Sequence, residues 1–367
     1  PRIVVTGCLG QRYAQDLLAE IPEIDGVAGV GQFEQLLALV QGDGPARSIV
    51  TSAPRVEIYR FMRRKRLDNK PYAFLKVADG CNHACTFCAI PQMKGPLRSV
   101  PRELLLQEAR DLLNQGVREL VLVAQDVAAY GQGLYPDYRL PNLLHDLCAL
   151  DGDFWVRCMY CYPGGITDAL IEALRTEAKV VPYLDIPLQH LDEGVLRAMK
   201  RPHREVDTVA LVEKLRREVP GITLRTTLIA GFPGESPKAH GQMLEGLDRL
   251  RFDWMGAFPY SEEEGTPAAE MKQVGKRTRE KRWRAVMERQ AQITAARNQA
   301  RVGQCLRVLA EEYDAGRKRW LGRSAGEAPE VDGSVLFEAD RPVAHGDFVE
   351  VRIERADVYD VYGRALT

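Results

Sequence analysis

The chain has almost no net charge, no long apolar run and few cysteines, and each shortage closes off a class of function. Fifty basic and fifty-one acidic residues leave a formal net charge of −1. No global field therefore draws the protein to nucleic acid or to a membrane surface, and any such attraction has to be local. No stretch of eighteen apolar residues occurs, which excludes an ordinary membrane-spanning helix. The opening residues hold no basic n-region followed by an apolar h-region, so secretion is not expected. Eight cysteines in 367 residues are too sparse for a disulfide scaffold. Three fall within eight positions and five are scattered, the pattern of a metal site in a reducing, hence cytoplasmic, compartment. The first residue is Pro1, not Met, and an apolar strand pattern follows at once; the natural N-terminus is expected upstream.

What is present is ordinary globular composition, 45% hydrophobic and 28% charged, in a chain long enough for two or three domains. Residues Ile3–Val5 and Val27–Val30 read as buried strands, each followed by a helical stretch, so residues 1–45 are expected to form part of a parallel α/β layer. Residues 46–71 read as a linker ending in the basic run Arg60, Arg63, Arg64, Lys65 and Arg66. From Tyr72 the pattern becomes regular. Strands are expected at Ala73–Val77, Glu119–Ala124, Trp155–Tyr160, Tyr183–Ile186, Thr223–Ala230 and Met255–Phe258. Helices are expected at Arg102–Gln115, Pro141–Ala149, Asp168–Thr176, Glu205–Val219 and Pro237–Leu250. Six alternating strands and helices over residues 72–271 imply an open (β/α)6 partial barrel, with chemistry at the C-terminal ends of the strands. A basic linker helix is expected within 272–301. Residues 302–367 alternate in strand fashion and predict a small antiparallel β-barrel of about five strands.

The central motif is Cys81-Asn82-His83-Ala84-Cys85-Thr86-Phe87-Cys88, placed just after the first strand of the barrel. Thiolates at these intervals can hold three corners of a cubane iron–sulfur cluster from one loop. The fourth iron is then open to chelation by the amino and carboxylate groups of S-adenosylmethionine, whose C–S bond a reduced cluster can break. Two alternatives stand beside this reading. Zinc would prefer two C-x-x-C knuckles and a fourth ligand, and His83 is poorly placed to supply it. Plain structural cysteines fit badly with three thiols in so short a polar loop.

With Ile90-Pro91 and Gly95-Pro96-Leu97-Arg98-Ser99 following it, the motif resembles that of the radical S-adenosylmethionine methylthiotransferases. The resemblance implies an N-terminal cluster domain, a radical SAM barrel and a C-terminal TRAM β-barrel, a plan that covers nearly the whole chain. It also implies a second four-iron cluster, for which Cys8, in Thr6-Gly7-Cys8-Leu9-Gly10-Gln11-Arg12, matches one of three family ligands. The other two would lie upstream of Pro1, so residues 1–367 alone are not expected to complete sulfur insertion. The segments Val123–Gly131, Asp185–His190 and Tyr260–Thr266 resemble the branch that methylthiolates the β-carbon of an aspartate of small-subunit ribosomal protein S twelve. The alternative is the tRNA-modifying branch, which has Gly-Gln-Asn where this chain has Ala124-Gln125-Asp126. Charge leans toward the protein substrate: residues 302–367 hold thirteen acids and nine basic residues, which suits a basic ribosomal partner better than RNA. The basic stretch Lys272–Arg301, with ten basic residues against two acids, leans toward RNA unless it packs through Trp283, Val286, Met287 and Ile293. A low-potential electron donor is the remaining partner implied. A metal-stabilised RNA-binding module without catalysis is the second alternative.

Further residues carry expectations of their own. Gln125 lies at a strand end and is expected to touch the cofactor or cap the loop. Arg225 should point into the barrel, to pair with the cofactor carboxylate or with an acid there. Gly231, in Gly231-Phe232-Pro233-Gly234-Glu235, either forms a plain βα turn or permits close approach of backbone to ligand. Phe87 is expected beside the adenine. His190 either lines the substrate cavity or is structural. Cys158 and Cys161 cannot chelate together from one strand and read as buried or barrel-lining thiols.

Overall fold

A computed structural model describes residues 2–43, 47–51, 65–201 and 207–366. Arg60, Arg63, Arg64 and the expected helix start at Glu205 lie outside the described residues.

The N-terminal layer is β1 (Val4–Thr6), α1 (Cys8–Glu20), β2 (Gly26–Ala28), α2 (Phe33–Gln41) and β3 (Ser48–Val50). Its three strands pair in parallel in the order β1-β2-β3. The third strand lies beyond the boundary at residue 45 read from the sequence.

The central unit runs β4 (Tyr72–Lys76), β5 (Ala78–Asp79), α3 (Ile90–Lys94), β6 (Arg98–Ser99), α4 (Arg102–Asn114), β7 (Glu119–Val123), α5 (Leu140–Cys148) and β8 (Trp155–Cys158). It continues with α6 (Asp168–Thr176), β9 (Val180–Gln189), α7 (Glu193–Ala198), α8 (Thr208–Glu218), β10 (Thr223–Ala230), α9 (Pro237–Leu250) and β11 (Trp254–Pro259). Six strands form one parallel sheet in the order β11-β10-β9-β8-β7-β4. Helix starts are set by local chemistry: Thr167, Asp192, Asp207 and Ser236 each accept a hydrogen bond from the first turn of α6, α7, α8 and α9.

Period-two alternation sorts the strand residues. Leu75, Leu120, Leu122, Val156, Leu184, Leu224 and Leu228 join the helices in the main core. Their neighbours face the concave interior, which has two layers. The lower layer, near the strands' N-terminal ends, contains Val121, Trp155, Tyr183 and Trp254 and is covered by Leu309 and Ala328 from the C-terminal barrel. The upper layer is open and holds the cavity described below.

Helix α10 (Lys276–Gln299) packs along β11 and α9. Its buried face includes Val286 and Ile293 but also Arg282, Gln290, Thr294 and Asn298. Trp283 Nε1 donates to the Ala257 carbonyl at 2.8 Å and Gln290 Nε2 to the Phe252 carbonyl at 2.8 Å. The helix is therefore a hydrogen-bonded wall at the sheet edge as well as a connector. The last five strands are β12 (Cys305–Asp314), β13 (Arg319–Ser324), β14 (Val335–Glu338), β15 (Phe348–Ala356) and β16 (Val361–Ala365). They close a barrel in the order β12-β13-β14-β16-β15. Four of its pairings are antiparallel, but β14 and β16 run parallel, a return the alternation alone does not reveal.

Candidate active site

Cys81, Cys85 and Cys88 follow β5, beyond the C-terminal end of β4, and line one cavity of about 510 Å³. The loop is held by its backbone. Cys81 N–H donates to the Gly95 carbonyl at 3.1 Å, Thr86 N–H to the Met199 carbonyl at 3.1 Å, and Ala268 N–H to the Thr86 carbonyl at 2.9 Å. Asn82 Oδ1 accepts from Leu97 N–H at 2.9 Å, which ties the loop to the Gly95–Ser99 segment. Burial pushes the Cys81 and Cys88 thiols up, partly offset by backbone N–H donors; bound cationic iron would reverse that preference and stabilise the thiolates.

His83 lines the same cavity, and its backbone N–H donates to Cys81 Sγ at 3.4 Å. Its Nε2 lies 2.7 Å from Asp126 Oδ2, and its ring stacks on Tyr162 with centroids 3.5 Å apart and planes 10° from parallel. Asp126 Oδ1 also accepts from Tyr162 N–H at 3.2 Å. The Arg201 guanidinium sits 4.1 Å from the centroid of the Tyr162 ring, 3.8 Å from Cys85 Sγ, and donates to the Pro187 carbonyl. Burial pushes the Tyr162 hydroxyl up to about 12, so it stays protonated.

The residues present fit a cluster with S-adenosylmethionine. Three thiols share one cavity, and beside them Gln125 Oε1 is buried with no hydrogen-bond partner among the described residues. Such an acceptor suits a ligand's amino group. Among the described residues no three His, Cys, Asp or Glu side chains converge on one mononuclear metal position. A cubane does not need that convergence, because each thiolate binds a different iron.

Of the expected cofactor residues, Phe87 and Gln125 line the cavity with the cysteines. Phe87 is backed edge-on by Phe232, with ring centroids 6.3 Å apart. Arg225 faces the interior but lies below the cavity lining, 2.7 Å from Asp332 and 3.7 Å from Asp185. Its partners are acids of the protein. Gly231 has φ +77°, and a Cβ there would lie 2.5–2.9 Å from Arg279 atoms, so the close neighbour is α10. His190 is buried, accepts from Asp192 N–H at 2.9 Å, and lies 3.6 Å from Glu235; its place is structural. Cys158 and Cys161 are buried in the main core. Cys8 is exposed at the start of α1.

Lys76, Tyr160, Tyr162 and Arg201 also line the cavity and were not singled out from the sequence. Arg201 follows α7, a six-residue helix too short for periodicity to reveal. Tyr160 has φ +54°, and its N–H donates to Asp185 Oδ2 at 3.2 Å. An interior Lys at the end of the apolar run Tyr72–Leu75 was the one visible signal.

Residues 75–246 match the radical SAM superfamily and residues 302–366 the TRAM domain. The ribosomal protein uS12 methylthiotransferase RimO of Desulfitobacterium hafniense (strain Y51) is 44% identical over 99% of this chain and 82% of its own length. Its counterpart in Geobacter sulfurreducens (strain ATCC 51573 / DSM 12127 / PCA) is 38% identical over 100% of this chain and 82% of its own length. Among solved structures, the radical S-adenosylmethionine methyltransferase TsrM from Kitasatospora setae, with cobalamin and a 4Fe–4S cluster bound, aligns with a TM-score of 0.56. It has 19% identity and covers 73% of this chain and 58% of that one, a likeness of fold. With three cysteines of one loop lining a cavity at the head of a parallel half-barrel, a TRAM barrel beneath it and this identity along its length, the chain belongs to the radical SAM methylthiotransferases of the uS12 type.

Proposed function

We propose that this chain adds a methylthio group to the β-carbon of an aspartate of ribosomal protein uS12. The observation that carries the reading is the cavity in which Cys81, Cys85 and Cys88 face Gln125 at the open end of the sheet. When bound, a 4Fe–4S cluster with S-adenosylmethionine supplies radical chemistry able to break an unactivated C–H bond. The protein's own residues prepare the place. The three cysteines hold the cluster, Gln125 and Phe87 contact the cofactor, and Val123, Ala124 and Ile90 keep the cavity wall apolar. Asp126 fixes the His83 ring, which with Tyr162 and Arg201 braces the loop from one side.

Cys8 is proposed as one ligand of a second cluster, which would deliver sulfur. Its helix supports this: α1 packs against α3, immediately after Cys88. One turn beyond Cys8, Arg12 binds Glu263 and the Glu264 carbonyl. A low-potential electron donor is required from outside the chain.

The tRNA reading drew on the basic stretch around α10, and the ion pairs there weaken it. Arg279, Arg282, Arg289, Arg297 and Arg301 are paired with Glu262, Glu235, Asp248, Asp253 and Glu327. These charges serve packing. Full-length enzyme, reconstituted anaerobically and incubated with uS12 and with tRNA, should place the methylthio mass gain on an aspartate of uS12. A gain on tRNA alone overturns the proposal.

A further inference from the structure

A target aspartate brings a carboxylate into a cavity walled by Phe87, Val123 and Ala124. Burying that charge unpaired is prohibitive, so a cation must receive it. Among the described residues of the lining, two carry a permanent positive charge, Arg201 and Lys76.

Arg201 is committed to the cluster loop. It is 6% exposed, lies against the Tyr162 ring and Cys85, and is anchored on the Pro187 carbonyl. Lys76 is placed differently. It ends β4 on the interior face, and its side chain is 36% exposed. Its Nζ lies 2.8 Å from Asp79 Oδ2, while Lys94 Nζ holds the other oxygen of the same carboxylate at 3.0 Å. One carboxylate is thus shared by two ammonium groups at the cavity edge. Asp79 also stays paired with Lys94 if Lys76 turns inward.

The geometry points to Lys76 as the residue that receives the carboxylate of the target aspartate, an assignment that rests on the uS12 reading above. The β-carbon is bonded directly to that carboxylate carbon. Holding one therefore positions the C–H to be broken, and Lys76 selects aspartate over neutral side chains.

The test uses full-length reconstituted enzyme with uS12 and with an Asp-to-Asn form of uS12 as competitor. Lys76→Met should raise KM for uS12 at least tenfold, about 1.4 kcal/mol. The inhibition constant of the Asn form should move less than threefold, and Lys76→Arg should recover most of the loss in KM. Equilibrium dialysis of S-adenosylmethionine on the same proteins supplies a readout independent of turnover, and its Kd should move far less than KM. Three results overturn the assignment: an unchanged KM, equal weakening of the Asn form, or a cofactor Kd that rises as much as KM. Failure of the uS12 reading looks different. Wild-type enzyme then leaves uS12 unmodified, and the assignment falls with it.

Discussion

At Gly80 a single hydrogen atom in place of a side chain lets the cluster loop close. Its φ is +77°, and a Cβ would lie 2.2 Å from the Pro96 carbonyl oxygen and 2.7 Å from that of Gly95. Gly95 is also where Cys81 N–H finds its acceptor. Gly80→Ala should therefore displace Cys81 and lower the iron retained after anaerobic reconstitution severalfold, with far-UV circular dichroism unchanged; iron content equal to wild type contradicts the argument. Asp126 offers a graded comparison. Asp126→Ala removes the partner of both His83 and Tyr162 N–H, at a cost of about 1–3 kcal/mol, whereas Asp126→Asn keeps an acceptor for Tyr162. Iron should be lost faster on air exposure in the order Ala, Asn, wild type. The thiols were legible in the sequence because their spacing is local, and Gln125 because it closely follows an apolar strand. Lys76, Tyr162 and Arg201 reach the same cavity from three separate strands or loops, and only the fold brings them together.

Elements with strong periodicity were legible nearly to the residue: Asp168–Thr176, Thr223–Ala230 and Pro237–Leu250 stand as expected. Strand β9 was read as Tyr183–Ile186 but spans Val180–Gln189, because Pro182 and Pro187 interrupt the strand signal without ending the pairing. The packing of α10 was less legible, since its anchors are polar. Chief among them is Glu235, which meets His190, His240 and Arg282 from three elements. Burial raises its carboxyl, but His190, His240 and the Gly231 N–H outweigh this and hold it at about 2, below the ordinary 4.5. A depressed folded-state value means the stabilisation is complete above about pH 4.5 and disappears as pH falls toward 2. Glu235→Gln should cost on the order of 3 kcal/mol at neutral pH. In urea unfolding of the apoprotein, the gap from wild type should narrow below pH 4.5; a gap independent of pH contradicts the linkage.

For the whole molecule, the decisive feature is how the TRAM barrel closes the lower interior of the half-barrel. Composition could reveal two domains but not this joint, whose paired residues lie 72 or more positions apart. Glu119, at the start of β7, is fully buried between Arg157 Nε and Arg323 Nη2, each at 2.6 Å. Arg323 belongs to β13 and also binds Glu311. Beside it, Asp332 accepts from Tyr183 at 2.6 Å and from Arg225 at 2.7 Å. Trp254 Nε1 donates to the Gly326 carbonyl at 2.7 Å. A desolvated network of this kind adds little relative to a well-packed apolar joint, yet removing one member strands the others. Arg323→Met leaves Glu311 and one oxygen of Glu119 without their cation and should cost about 3–5 kcal/mol. Adding Glu311→Gln to that variant should return at least about 1 kcal/mol, because Glu311 has lost its arginine whereas Glu119 keeps Arg157. Trp155, whose ring centroid lies 4.7 Å from that of Phe348 with the planes tilted by 55°, and Trp254 report the event directly. If the joint opens as a unit, tryptophan emission should shift to the red and protease should cut near residues 300–304 before the half-barrel unfolds. A single transition, with cleavage and emission following global unfolding, would instead mean that TRAM barrel and half-barrel share one cooperative core.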